Sequence, residues 1–279
     1  MSSKLTGIIT TSPIPLNPST SMISQVLDST KRLVNHTIII FDGFKTSPII
    51  KQEYKAFKSC KITRESSLKY LEFISNFHQL IDNIDQLQSV DFLSEKFASK
   101  FSNMKVSRYI NHTLIVHDIN IGFALAVKSA FEFIKTEYIL INQHDWKIVK
   151  EIPIHGLIDI LDSNPDFNYI GFVSRRSLNY TVSNHLNQTT TTLSINNLDF
   201  AKLFFWYDRT HISRLDYYKN NVFGHGYFSI GDFIEDTFGH VVLSDCKNGF
   251  WDKYGCLLFL GDGQVAVQHL NGRKTKVLD

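Results

Sequence analysis

Apolar positions recur with two different periods along this 279-residue chain, and the switches between those periods predict its elements. Leu5 to Thr10 is a β-prone run, and the proline-punctuated TSPIPLNPST after it predicts a strand that ends in a stiff, extended loop. Ser19 or Thr20 can cap a following helix, on which Met22, Ile23, Val26 and Leu27 repeat at helical spacing. Thr37 to Phe41 predicts a second strand, covered on both faces and closed by Asp42-Gly43. Strand, loop, helix and strand make a βαβ unit, which sets the two strand ends side by side. From residue 47 to about 108 the chain turns polar and lysine-rich and predicts helix, with aromatics such as Tyr70, Phe73 and Phe77 supplying core contacts. Leu114 to His117 predicts the third strand.

The pattern is sharpest from Asn120 to Trp146. Ala124, Val127, Ala130, Phe131 and Ile134 form one apolar face of a helix opened by Asn120 and Gly122. Tyr138 to Ile141 is a short buried strand, and the chain then becomes abruptly polar at Asn142-Gln143-His144-Asp145. In open α/β sheets ligands bind just beyond the carboxyl ends of strands, which places Asp145 where a cation or a phosphate would sit. As a lone acid it can equally cap the turn. Further on, IPIHGLIDIL predicts a helix or extended segment and Tyr169 to Val173 another strand. Arg175 and Arg176 follow, a pair of which one can face an anion. The Thr- and Asn-rich run 179–197 predicts a loop or hairpin, and FFWYDRTHISR a strand with a turn. Asp232, Glu235 and Asp236 lie near Gly231 at spacings that share a helix face. They are either a set of catalytic acids or the acid enrichment common in a first helical turn. Trp146 and Trp251 serve either as an aromatic stacking wall or as core.

Composition narrows the class. A hydrophobic share of 43% and an aromatic share of 13% suffice for a sizeable core. A formal net charge of +2 without a long basic run argues against nucleic acid as the main partner. Cys60, Cys246 and Cys256 are odd in number and lack metal-type spacing, so neither a disulfide framework nor a zinc site is expected. No apolar run is long enough for a membrane span or a signal peptide, and a cytoplasmic protein is the expectation. Four Asn-x-Thr sequons, at Asn35, Asn111, Asn179 and Asn187, are then expected to stay unmodified.

The Asn-x-Gly start at Asn120 and Gly122, the helix carrying Lys128, and the segment EYILINQHDW resemble the GT-A glycosyltransferases. The resemblance spans Leu5 to Arg273. It implies an α/β fold with a mostly parallel, Rossmann-like sheet flanked by helices. A nucleotide-sugar-binding half (1–145) and a mixed acceptor-binding, catalytic half (146–279) would form one domain. It further implies Mn²⁺ or Mg²⁺ held by Asp145 and a late histidine, His269, with Gln143 standing where the family motif has its first acid. Thr11, Ser12 and Pro13 would lie over the nucleotide, and Asp42 would contact its base or ribose. Asn120, Gly122, Lys128 and Arg273 would serve the donor diphosphate, and Asp232 or Glu235 would act as general base. The implied reaction moves a sugar from a UDP-linked donor to a hydroxyl of a glycan or protein. Two other readings stand beside it. One is a catalytically silent carbohydrate-binding module, motivated by Gln143. The other is a sugar-phosphate nucleotidyltransferase, which normally has Gly and basic residues in the first loop, and TSPIPLNPST has neither.

Overall fold

The computed structural model describes residues 2–48, 60–93, 102–224 and 228–271. Eleven strands form one sheet, and its heart is parallel. Ser2–Thr11 (β1) lies between Val34–Phe41 (β2) and Tyr138–Gln143 (β8), and His112–His117 (β7) pairs with the far side of β2, all in parallel. These strands carry near-continuous Ile, Leu and Val because both faces are covered. On one face Ser21–Thr30 (α1) and Arg64–Asp82 (α2) pack Ile23, Val26, Leu27, Tyr70, Phe73 and Phe77 against Ile9, Ile39 and Phe41. On the other, Phe123–Ser129 (α3) and Ile154–Ser163 (α4) contribute to the larger core.

Beyond β8 the sheet becomes mixed. His211–Arg214 (β13) runs antiparallel between β8 and Tyr169–Phe172 (β10), and Cys256–Phe259 (β14) is parallel to β10. Two antiparallel strands, Leu198–Lys202 (β12) and Thr192–Ile195 (β11), complete that end. A small ladder outside the sheet joins Trp146–Ile148 (β9) to Val267–His269 (β15), with His269 opposite Trp146.

Among the described residues of 47–108 the helical expectation holds for α2. Leu87–Leu93 (β5) and Met104–Tyr109 (β6) instead form a hairpin on the β7 edge. Their alternation was masked because β5 lies at the sheet edge with one face in solvent, so Val90 and Phe92 are exposed rather than part of an apolar run. Tyr54, Phe57, Phe97 and Phe101 lie outside the described residues. The run 179–197 contains β11, so part of that polar stretch is strand. No helix among the described residues is long and apolar enough to cross a membrane.

Candidate functional site

The carboxyl ends of β1, β2 and β8 open on a cavity of about 510 Å³. Thr10, Thr11 and Ser12 from the end of β1, with Gln143 and His144 from β8, form one wall. Asp42, Lys45, Cys60 and Asn120 form another, Gly122, Phe123 and Ala126 of the α3 start a third, and Ile230, Gly231, Phe233 and Asp236 close over them. The volume falls within the usual range for a small-molecule site.

Asp42 organises the wall beneath the ligand space. Its carboxylate accepts hydrogen bonds from Asn120 Nδ2 (2.6 Å), Ile121 N (2.8 Å), Gly122 N (3.1 Å) and the Gly43 amide. Burial outweighs these donors and pushes its pKa up to about 6. With four donors already on its two oxygens, Asp42 fastens the 119–122 turn, and Asn120 lines the cavity beside it. Gly122 opens the helix, which starts at Phe123 because Gly122 itself adopts φ +84° and ψ 166°, outside helical space. The 229–233 segment docks onto this turn. Gly231 N donates to Ile121 O (3.0 Å), Ala124 N donates to Asp232 O (3.1 Å), and the Phe123 and Phe233 rings stack with centroids 5.9 Å apart.

One residue beyond His144, the buried Asp145 carboxylate meets His269. Asp145 Oδ2 and His269 Nε2 are 3.1 Å apart, brought together by the β9–β15 ladder across 124 residues of chain. The hydrogen bond that His269 donates to the Asp145 carboxylate raises the His269 pKa above the ordinary imidazole value. Trp146 packs edge-on against that imidazole at 5.0 Å. The chemistry of this donor set, one carboxylate and one imidazole, fits a divalent cation that takes its remaining ligands from diphosphate oxygens and water. Among the described residues no group of three His, Cys, Asp or Glu side chains is arranged to hold a metal. Gln143 is directed elsewhere and donates from Nε2 to Asp208 O at 3.0 Å.

The remaining site residues read from the sequence are distributed unevenly. Thr11 and Ser12 line the cavity, whereas Pro13 is buried behind them. The Thr11 hydroxyl oxygen is buried with no hydrogen-bond partner among the described residues. Lys128 lies at the far end of α3, its ammonium 5.5 Å from the centre of the Phe223 ring and off the cavity lining. Arg273 lies outside the described residues. Asp232 Oδ2 accepts from Ser229 N (2.7 Å) and so closes its own turn. Glu235 Oε2 accepts from Asp208 N, and Glu235 N donates to Asp208 Oδ1, both at 3.2 Å. Glu235 opens a wide helical turn, Glu235–Gly239, and this geometry presents Asp236 to the cavity instead. Trp251 is buried beside Phe167, with Nε1 donating to Leu203 O, in surroundings separate from those of Trp146.

Lys45, Cys60 and Asp208 were not legible in advance. Lys45 and Cys60 follow no motif, and the buried Asp208 sits within an aromatic run, FFWYDR, that reads as core.

The sequence matches no protein-family model and no curated protein sequence. Solved structures do resemble the fold. GalNAc-T7 with UDP, GalNAc and Mn²⁺ overlaps at a TM-score of 0.50 and 7% identity, covering 99% of this chain and 46% of that one. A mannosyltransferase from Pyrobaculum calidifontis in complex with GDP-Man and Mn²⁺ overlaps at 0.40 with 10% identity, covering 78% of this chain and 46% of its own. Glucosyl-3-phosphoglycerate synthase from Mycobacterium tuberculosis with Mn²⁺, UDP-glucose and phosphoglyceric acid overlaps at 0.40 with 12% identity, covering 99% and 74%. The last two overlaps are too loose to bear on the fold, and this chain spans less than half the length of the first two proteins. With a parallel-centred sheet, helices on both faces and the overlap with GalNAc-T7 all agreeing, the chain has the GT-A fold.

Proposed function

We propose that this protein is a glycosyltransferase that moves a sugar from a UDP-linked donor to a hydroxyl acceptor. The observation that carries this reading is the cavity at the carboxyl ends of β1, β2 and β8, with the Asp145–His269 pair one residue from its wall. The nucleoside would lie between Thr11, Ser12 and Asn120. Asp145 and His269 would hold Mn²⁺ or Mg²⁺, which when bound neutralises charge on the departing diphosphate. Asp236, exposed on the cavity wall, would take the proton of the acceptor hydroxyl as its oxygen bonds to the anomeric carbon and the bond to the diphosphate breaks. A single carboxylate base of this kind implies inversion at that carbon. Asp232 and Glu235, drawn into turn hydrogen bonds, would shape this wall.

Calorimetric titration of UDP, GDP and their common sugars, with and without Mn²⁺, tests the reading on wild type and Asp145→Ala. UDP binding that needs Mn²⁺ and is lost in the variant is the expected result. A folded wild-type protein that binds no nucleotide under either condition overturns the transferase reading in favour of a carbohydrate-binding module.

A further inference from the structure

Segments far apart in sequence are tied together beside the cavity, and one buried carboxyl lies at the knot. Gln143, at the tip of β8, donates from Nε2 to Asp208 O at 3.0 Å. Thr210 Oγ1 donates to Asn142 Oδ1 at 2.8 Å, so the 208–210 segment leading into β13 is lashed to the β8 tip at two points. Asn142 Nδ2 in turn donates to Trp146 O at 2.9 Å and closes the turn that carries Asp145.

On its other side Asp208 holds the segment that bears Asp236. Asp208 N donates to Glu235 Oε2 and Glu235 N donates to Asp208 Oδ1, both at 3.2 Å. This reciprocal pair of bonds is that of a helix capping box, made here between two elements rather than within one turn. The segment it caps, Glu235–Gly239, runs directly into the His240–Lys247 helix. Gly239 is pressed on the residues just before Asp208. A Cβ there would lie 2.7 Å from Trp206 O and 2.9 Å from the Phe205 ring, so no larger residue could approach as closely.

Asp208 is 2% exposed, and its Oδ2 has no hydrogen-bond partner among the described residues. Burial, and then the charges of Glu235 and Asp236, push its pKa well above the carboxylate range. A sealed polar atom costs about 1–3 kcal/mol, so packing alone would favour an apolar residue here. An apolar residue, however, has no oxygen for Glu235 N. The same logic accounts for Gln143: a carboxylate there would set two acceptors against each other at Asp208 O, whereas an amide supplies the donor.

We propose that Gln143, Asp208 and Glu235 form a brace that fixes Asp236 relative to the Asp145 turn, with Asp208 as its positioning residue and Gln143 as its anchor on the donor side rather than a lost metal ligand. The role of Asp236 as base rests on the transferase reading, and the brace itself does not. A base and a leaving diphosphate must be held in one geometry about the anomeric carbon, and a misplacement of about 1 Å costs about 10²-fold in rate.

The test compares wild type with Asp208→Asn, Asp208→Leu, Gln143→Glu and Gln143→Met, with folding checked by circular dichroism. Release of UDP from UDP-glucose, UDP-galactose, UDP-GlcNAc and UDP-GalNAc, with water as acceptor, gives kcat and KM. Calorimetry gives UDP affinity with Mn²⁺, and NMR-detected hydrogen exchange of the Glu235 amide needs no substrate. Asp208→Leu should lower kcat by about tenfold or more with KM and UDP affinity within about twofold, and speed that exchange by about tenfold. Asp208→Asn keeps an oxygen for Glu235 N and should rescue both. Both Gln143 variants should act in the same direction as Asp208→Leu without tightening UDP binding, and they carry the test if Asp208→Leu does not fold. An unchanged kcat in Asp208→Leu, a change confined to KM, or Asp208→Asn as impaired as Asp208→Leu overturns the proposal. So does Mn²⁺-dependent UDP binding that tightens about tenfold in Gln143→Glu, which would assign position 143 to the metal. If wild type releases UDP from none of the four donors, the transferase reading fails instead. Exchange at Glu235 then decides the brace: faster in Asp208→Leu and the Gln143 variants upholds it, and unchanged overturns it.

Discussion

Replacing Gly122 with alanine should separate the two segments that shape the donor cavity. Gly122 has φ +84° and ψ 166°, a region almost closed to side-chain-bearing residues, and occupying it costs about 1–3 kcal/mol. A Cβ there would also lie 2.5 Å from Gly231 Cα, 2.6 Å from its nitrogen and 2.8 Å from its carbonyl carbon. That is roughly 1 Å short of normal contact, and backbone cannot rotate away as a side-chain tip can. Moving Gly231 back threatens the Gly231 N to Ile121 O and Ala124 N to Asp232 O hydrogen bonds, each worth about 1 kcal/mol. Together these effects predict a loss of about 3–5 kcal/mol in urea unfolding, or a native state with the 229–233 flap displaced and UDP affinity reduced at least tenfold. Gly231→Ala is the matched control. Its φ is +92°, but a Cβ there meets nothing within 4 Å, so only the conformational cost of about 1–3 kcal/mol remains. If Gly122→Ala is no more destabilising than Gly231→Ala and binds UDP normally, the close approach does not hold the cavity together and the reasoning fails.

Thr11→Val removes a buried hydroxyl that has no hydrogen-bond partner among the described residues, so it should leave stability in urea unfolding unchanged or raise it by about 1 kcal/mol, with UDP affinity within twofold of wild type because that oxygen is sealed from the cavity. Asp42 carries a pH signature. Its folded pKa of about 6 lies above the ordinary value of 3.8, so the folded state holds the proton more tightly. The associated stability is complete below about pH 4 and is lost as pH rises through about 6, a fall of about 3 kcal/mol. Urea unfolding across that range should show this fall in wild type and not in Asp42→Asn, and parallel curves would refute it. Asp236→Asn should lower turnover by about 10²–10⁴-fold with UDP affinity intact, whereas Asp232→Asn should act mainly on stability.

The parallel heart of the sheet was readable from the chain itself. Strands covered on both faces must be continuously apolar, and Ile38 to Phe41 and Tyr138 to Ile141 are so regardless of what packs on them. The polar tips after those strands marked the cavity for the same local reason: Thr11, Ser12, Asp42, Asn120 and Gly122 are where buried backbone emerges. The β5–β6 hairpin was not readable, because an edge strand half in solvent loses the pattern that would reveal it. The pairing of Asp145 with His269 followed from the family resemblance, but only the β9–β15 ladder brings an acid and an imidazole 124 residues apart to 3.1 Å. The choice among Asp232, Glu235 and Asp236 was likewise tertiary. Asp232 and Glu235 accept hydrogen bonds from Ser229 N and Asp208 N that no spacing encodes, and Asp236 lines the cavity, so the surroundings of each acid are set between elements. Periodicity reports which side of an element is buried, because burial acts on each residue through its own element. Which polar groups meet depends on contacts between elements, and those exist only after the sheet has closed around them.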